Sequence, residues 1–189
     1  MIRLLPLLCI LLLPACDGQS VARSEFMGRL SQLCGKAYEG TIVSTDPQDD
    51  DWRAERIIMH VRDCNDDEIR IPLYVGEDAS RTWILHDEGG RLALRHDHRH
   101  EDGTPDAITM YGGAATDDGN SGSRQNFPAD EATKEIFDRE GIPESKQNIW
   151  AIEVRPVSNL FAYEMARPGR YFRIEFDTST PVDPPAAAD

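Results

Sequence analysis

The sequence predicts a mainly β chain: antiparallel strands in meander order, curled into a barrel or half-barrel, with an N-terminal helix and one inserted helix. Three observations carry this expectation. Short runs rich in Ile, Val, Tyr and Phe alternate apolar with polar residues, the period of a half-buried strand. Acidic, Gly-containing or Asn/Asp segments such as DPQDDD, DCNDD and DEGG separate these runs as turns. Two hairpins place chemically matched residues opposite one another. A β-sandwich is the alternative that the same strands allow.

In chain order, Phe26, Leu30 and Leu33 fall at helical spacing within Ser24 to Leu33, with Ser24 placed to cap a helix. Strands follow at Tyr38 to Ser44, Arg56 to Asp63 and Glu68 to Val75. Alternation in the second sets Ile57, Met59 and Val61 on one face and turns His60 outward. Pro72 argues for an edge position or a bulge in the third, since proline lacks a ladder donor. Arg81 to His86 and Arg91 to His100 flank the DEGG turn. An even loop puts Trp83 and Leu85 on one face with Leu92, Leu94 and His96, and His86 on the other. Residues 103–129 read as glycine-rich loop with one short strand at Ala107 to Tyr111. Asp130 opens a helix that Gly141 and Pro143 stop near Glu140. In the last third Trp150, Ile152 and Val154 alternate with Ala151, Glu153 and Arg155. The RPGR turn then pairs Met165 with Phe172, Tyr163 with Ile174, Phe161 with Phe176 and Glu164 with Arg173.

The first sixteen residues have the layout of a secretory signal: Arg3, an apolar run from Leu4 to Leu13, then LPAC ending at Cys16. The run is too short for a permanent membrane span. LPAC resembles the bacterial lipobox, which implies that Cys16 is acylated and becomes the first mature residue. Asp17 after it resembles a signal for inner-membrane retention, although either membrane fits. Residues 1–15 are therefore expected as signal peptide, 16–23 as a lipidated tether, 24–180 as a single β-rich domain and 181–189 as a disordered tail. With Cys9 in the signal and Cys16 lipidated, Cys34 and Cys64 remain, and an exported chain joins such a pair in one disulfide.

Charge narrows the partners. The 34 acidic residues outnumber 20 basic ones, and loss of residues 1–15 removes Arg3 and no acid. Such a surface repels phosphate backbones and anionic lipid heads, so nucleic acid is not expected and membrane contact runs through the Cys16 lipid only. No Walker loop, GxGxxG, GxSxG or CxxC occurs, and the acidic turns EDGTPD and TDDGNSG lack the spacing of a calcium loop. No catalytic residue is assigned.

RLALRHDHRHEDG, from Arg91 to Gly103, holds three of the five histidines at every second position. On a strand His96, His98 and His100 continue the inner face of Leu92 and Leu94. Neighbours in such a row lie about 6.7 Å apart at Cα and the outer two about 13 Å, so one ion could take two of them at most. His96 and His98 are the candidate zinc ligands, and a third ligand would have to be a carboxylate or tyrosine because His60 and His86 face away. The plainer expectation has no cofactor: the row forms a polar barrel wall hydrogen-bonded to carboxylates or tyrosine hydroxyls, and a separate expectation has it line a small-molecule pocket with Trp83 and Leu94.

The outline is similar to the calycin type of small ligand-binding barrel. IRIPLYVGEDASRTWIL, LRHDHRHEDGTPDAITMYGG and NIWAIEV resemble a family of uncharacterised exported proteins and lipoproteins of proteobacteria, over about Cys34 to Asp177. That resemblance implies export and a single domain, and brings no activity or site residue with it. The expected function is a lipid-anchored periplasmic protein that binds a small ligand or an envelope partner. The alternatives are a metal-assisted hydrolase or metal carrier built on the histidine strand, and a purely structural envelope protein.

Overall fold

The computed structural model describes residues 18–116 and 118–185. The expected signal peptide and the lipid site at Cys16 lie outside them. Helix α1 spans Gly18–Ser31. Strands β1 (Lys36–Ile42), β2 (Ile57–Val61), β3 (Asp63–Cys64), β4 (Glu68–Val75), β5 (Asp78–Glu88) and β6 (Arg91–His98) follow, with a short helix α2 (Asp50–Arg53) between β1 and β2. Then come β7 (Tyr111–Ala114), β8 (Arg124–Pro128), helix α3 (Glu131–Arg139), β9 (Ile149–Arg155), β10 (Leu160–Arg167) and β11 (Arg170–Asp177).

All strands join one antiparallel sheet in the order β7-β6-β5-β4-β2-β1-β11-β10-β9-β8, with β3 beside β4. Because β1 pairs with β11, the two halves of the meander meet and the sheet curls into a barrel with one seam, between β7 and β8. The sandwich alternative is thereby set aside. Residue alternation sets the register as expected: Trp83 faces His96 and Leu85 faces Leu94 across β5 and β6, and Phe161, Tyr163 and Met165 face Phe176, Ile174 and Phe172 across β10 and β11.

The seam is closed by a helix instead of a strand ladder. The Asp130 side chain caps α3 by accepting from the Thr133 amide at 2.8 Å. The first turn so fixed lies against β7. There the Gly112 amide donates to Thr133 Oγ1 at 2.8 Å, and the Asp130 amide donates to the Gly112 carbonyl at 3.0 Å. Arg95 of β6 adds an ion pair to Asp130 at 2.5 Å. The backbones approach so closely that a Cβ at Gly113 would collide with the Pro128 carbonyl, so the glycine pair is a packing requirement.

Inside, Phe26 and Leu30 of α1 are fully buried with Leu85, Leu94, Phe161 and Phe176. Arg23 of the same helix pairs with Asp87 and donates to the Gly90 carbonyl at 2.7 Å in the β5–β6 turn. The helix therefore closes the barrel end that carries this turn. Cys34, just beyond α1, is disulfide-bonded to Cys64 of β3, 30 residues away. Closing a loop of that length stabilises the fold by roughly 3 to 4 kcal/mol in the chain-entropy view.

On the outer face of β8 to β11, Glu153 and Glu164 are buried although they face outward. Arg173 pairs with both, Arg124 pairs with Glu164 at 2.7 Å, and the small Ala151 and Ala162 leave the arginine stems room to lie flat. Part of the acidic excess is thus held in a neutralised ladder.

Several boundaries differ from expectation. The helix begins at Gly18, so residues 18–23 of the expected tether are helical. Pro72 lies on an interior strand, where the partner of β4 changes from β2 to β3, and the β4–β5 register shifts between Leu73 and Val75. The stretch expected as loop contains β7 and β8, and the short strand is at Tyr111–Ala114, not at Ala107 to Tyr111. The tail begins docked: the Val182 amide donates to the Ala37 carbonyl at 2.9 Å, and Val182 covers a small outer cluster of Ala37, Ile58 and Tyr74. No helix among the described residues is long and apolar enough to cross a membrane.

Candidate functional site

Strand β6 runs from the closed end of the barrel to the open one, and its inward residues change character on the way. Leu92 and Leu94 pack in the core, then His96 and His98 reach a cavity of about 550 Å³. The cavity occupies the open end, between Trp83, Tyr111, Trp150 and Tyr163 of the barrel wall. Half-buried Trp52 on α2 stands at its rim, and buried Phe137 on α3 also lines it. Its size is that of a small-molecule pocket.

His96 is sealed, with 2 % of its surface exposed. Its Nδ1–H donates to the Tyr111 carbonyl at 3.1 Å, which fixes the tautomer, and its Nε2 accepts from the Tyr163 hydroxyl at 2.7 Å. Burial pushes its pKa down to about 3, against which the bond to the Tyr111 carbonyl acts only weakly. His96 is therefore a neutral wall group. Two ring stacks hold this wall: Trp83 on Tyr163, with centroids 4.3 Å apart, and His96 on Tyr111, 4.5 Å apart. Burial also raises the Tyr111 and Tyr163 phenols, so both stay protonated donors.

His98 is half-buried and faces the cavity. Its Nε2 lies 3.3 Å from the Tyr111 hydroxyl. Burial, then Arg81, lower its pKa, opposed by Asp106, Asp97 and Asp78. Arg81 lies over the Trp52 ring at 5.0 Å and pairs with Asp78. Arg170, from the β10–β11 turn, pairs with Asp49 at 3.1 Å and Asp46 at 3.3 Å, and so pins the rim segment before α2.

Of the expected site residues, Trp83, His96 and His98 come together. Leu94 and His100 do not join them. Leu94 is fully buried in the core below the cavity, and β6 ends at His98, so His100 turns outward with its Nδ1 4.0 Å from Asp106. For the zinc reading, both ring nitrogens of His96 are engaged, and among the described residues no three His, Cys, Asp or Glu side chains gather as a metal set. Residue-by-residue reading missed Trp52, Arg81, Tyr111, Trp150 and Arg170. Their gathering follows from closure of the barrel, which brings all three tryptophans of the chain to this one cavity. Comparisons of the chain with protein-family models, with curated proteins and with solved structures find no match.

Proposed function

We propose that this chain is a small-ligand binding module of the cell envelope, with the open end of the barrel as its cup and a lipid on Cys16 as its anchor. The observation that carries the reading is the 550 Å³ cavity into which every tryptophan of the chain faces. A barrel stabilised only by its core has no need to leave one end hollow, because filling such space with side chains adds dispersion contacts and removes cavity cost. The LPAC motif supports the anchor. Helix α1 starts two residues after Cys16 and packs at the closed end, so a lipid there holds the cup with its mouth turned away from the membrane.

Tryptophan emission tests the cup directly, since no tryptophan elsewhere dilutes the signal. Phenylnaphthylamine, a neutral fluorescent probe, is expected to bind at one site per chain with energy transfer from tryptophan, and Trp83→Ala to lose that binding. Absence of saturable binding would remove the reading. For the anchor, Cys16→Ser is expected to release the protein from membranes, and persistent association would argue against it.

A further inference from the structure

The arginines of the cavity wall are already neutralised by partners, and Asp106, which also lines the cavity, accepts from the Ile108 amide at 2.7 Å and is 39 % exposed, so it offers a cation only a hydrated, screened partner. Arg170 is taken by Asp49 and Asp46, and Arg81 by Asp78 and the Trp52 face. A charged ligand entering here would lose its hydration and find no free counter-charge in these pairs, which is costly in a low-dielectric site. An anion would also approach a chain of formal net charge −14. Flat ring surfaces dominate the remaining wall.

Two histidines of the same strand each hold a tyrosine hydroxyl on Nε2, and the difference between them is instructive. His96 uses its Nδ1–H on the Tyr111 carbonyl. His98 has Nε2 against the Tyr111 hydroxyl, and its Nδ1 has no hydrogen-bond partner among the described residues although its ring lines the cavity. A Tyr111 hydroxyl that donates its proton across the 3.3 Å to Nε2 puts the proton of a neutral His98 ring on Nδ1. That leaves one unused donor at the edge of an aromatic cup.

We infer that the cup takes an uncharged, flat, ring-bearing molecule with a hydrogen-bond acceptor oxygen, and that His98 Nδ1–H binds this oxygen. The inference rests on the cup reading above and deepens it by naming the ligand class. His98 sits among groups that could alter its state: Arg81 and Asp78 on β5, Asp97 on its own strand, Asp106 and Tyr111 on the following segment. Burial and Arg81 outweigh the carboxylates and keep the ring neutral at pH 7.

Four naphthalene probes of matched size test this on the purified whole protein: the ketone acetylnaphthalene, the hydrocarbon ethylnaphthalene, the anion naphthoate and the cation naphthylmethylammonium. The ketone is expected to bind roughly tenfold tighter than the hydrocarbon, and both more tightly than either ion. His98→Phe is expected to bring the ketone-to-hydrocarbon ratio close to one, and His98→Asn, whose amide nitrogen stands where Nδ1 stood, to restore it. A ratio near one in the wild type, a preferred ion, or a ratio unchanged in His98→Phe overturns the inference while leaving the cup intact. Failure of all four probes instead removes the cup itself. Should His98→Phe not fold, nitrogen NMR of the wild-type histidines decides: a proton on Nδ1 of His98 is expected, and a proton on Nε2 overturns the assignment.

Discussion

The two ends of this barrel are built from the same strands and behave as different materials. At the closed end Leu92, Leu94, Phe161 and Phe176 meet Phe26 and Leu30 of α1 in a packed apolar core. At the other end the same strands carry His96, His98, Tyr163 and Phe172, whose shapes and polar atoms leave a cavity. Strand alternation sends both sets inward. Side-chain volume and hydrogen-bonding capacity then decide which end becomes solid and which hollow, so stability and recognition are separated along a single strand.

That separation can be broken by experiment. The largest effect is expected at the closed end: Phe26→Ala, by cavity creation in a packed core, should cost about 3 to 5 kcal/mol in denaturant unfolding. Trp52→Ala at the rim should cost far less while weakening probe binding, and equal losses would erase the distinction between the ends. Next comes pH. His96 has a folded pKa near 3, below the 6.5 of an unfolded chain, so below pH 6.5 the unfolded state gains a proton that the native state refuses. Stability should fall on acidification by about 1.4 kcal/mol per pH unit from this group, down to pH 3. His96→Gln should flatten that slope, and an unchanged slope would place the acid sensitivity elsewhere. Smaller again, Tyr163→Phe orphans His96 Nε2 and should cost about 1 to 2 kcal/mol, with a shift in the histidine NMR signal of His96. Smallest is zinc: added to protein purified without a histidine tag, it should leave tryptophan emission unchanged, because His96 has no free nitrogen to offer. Stoichiometric zinc lost in His98→Ala would revive the metal reading.

Much of the barrel was legible because its information is local. The β10–β11 pairing follows from a two-residue turn and from Glu164 facing Arg173, and the position of Trp83 opposite His96 follows from the DEGG turn. The disulfide followed from cysteine count. Strand β7 was not legible, since Gly112 and Gly113 carry no side-chain pattern and its place is set by contact with α3. The start of α1 at Gly18 was not legible because Gly18 to Arg23 carries little apolar rhythm. For the site, alternation identified the face of His96 and His98 and could not show that the strand stops before His100. Nor could it show that Trp52 and Arg170, distant in sequence, complete the rim, because closure of the barrel brings them there.

The seam between β7 and β8 has a kinetic consequence. Elsewhere each strand is tied to its neighbour by a ladder of amides and carbonyls, but here the Gly112 carbonyl takes the amide of the helix cap Asp130, the Gly112 amide relies on a threonine hydroxyl, and the Asn126 amide of β8 on the Asn120 side chain at 2.7 Å. A ladder must unzip cooperatively, whereas a clasp of a few separate bonds opens locally. Hydrogen exchange should therefore begin along this line, with Gly112 and Asn126 losing protection long before the amides of β10. The cylinder is a clasped cuff, and its fastest breathing runs lengthwise beside the very wall, Tyr111 and Trp150, that borders the cavity.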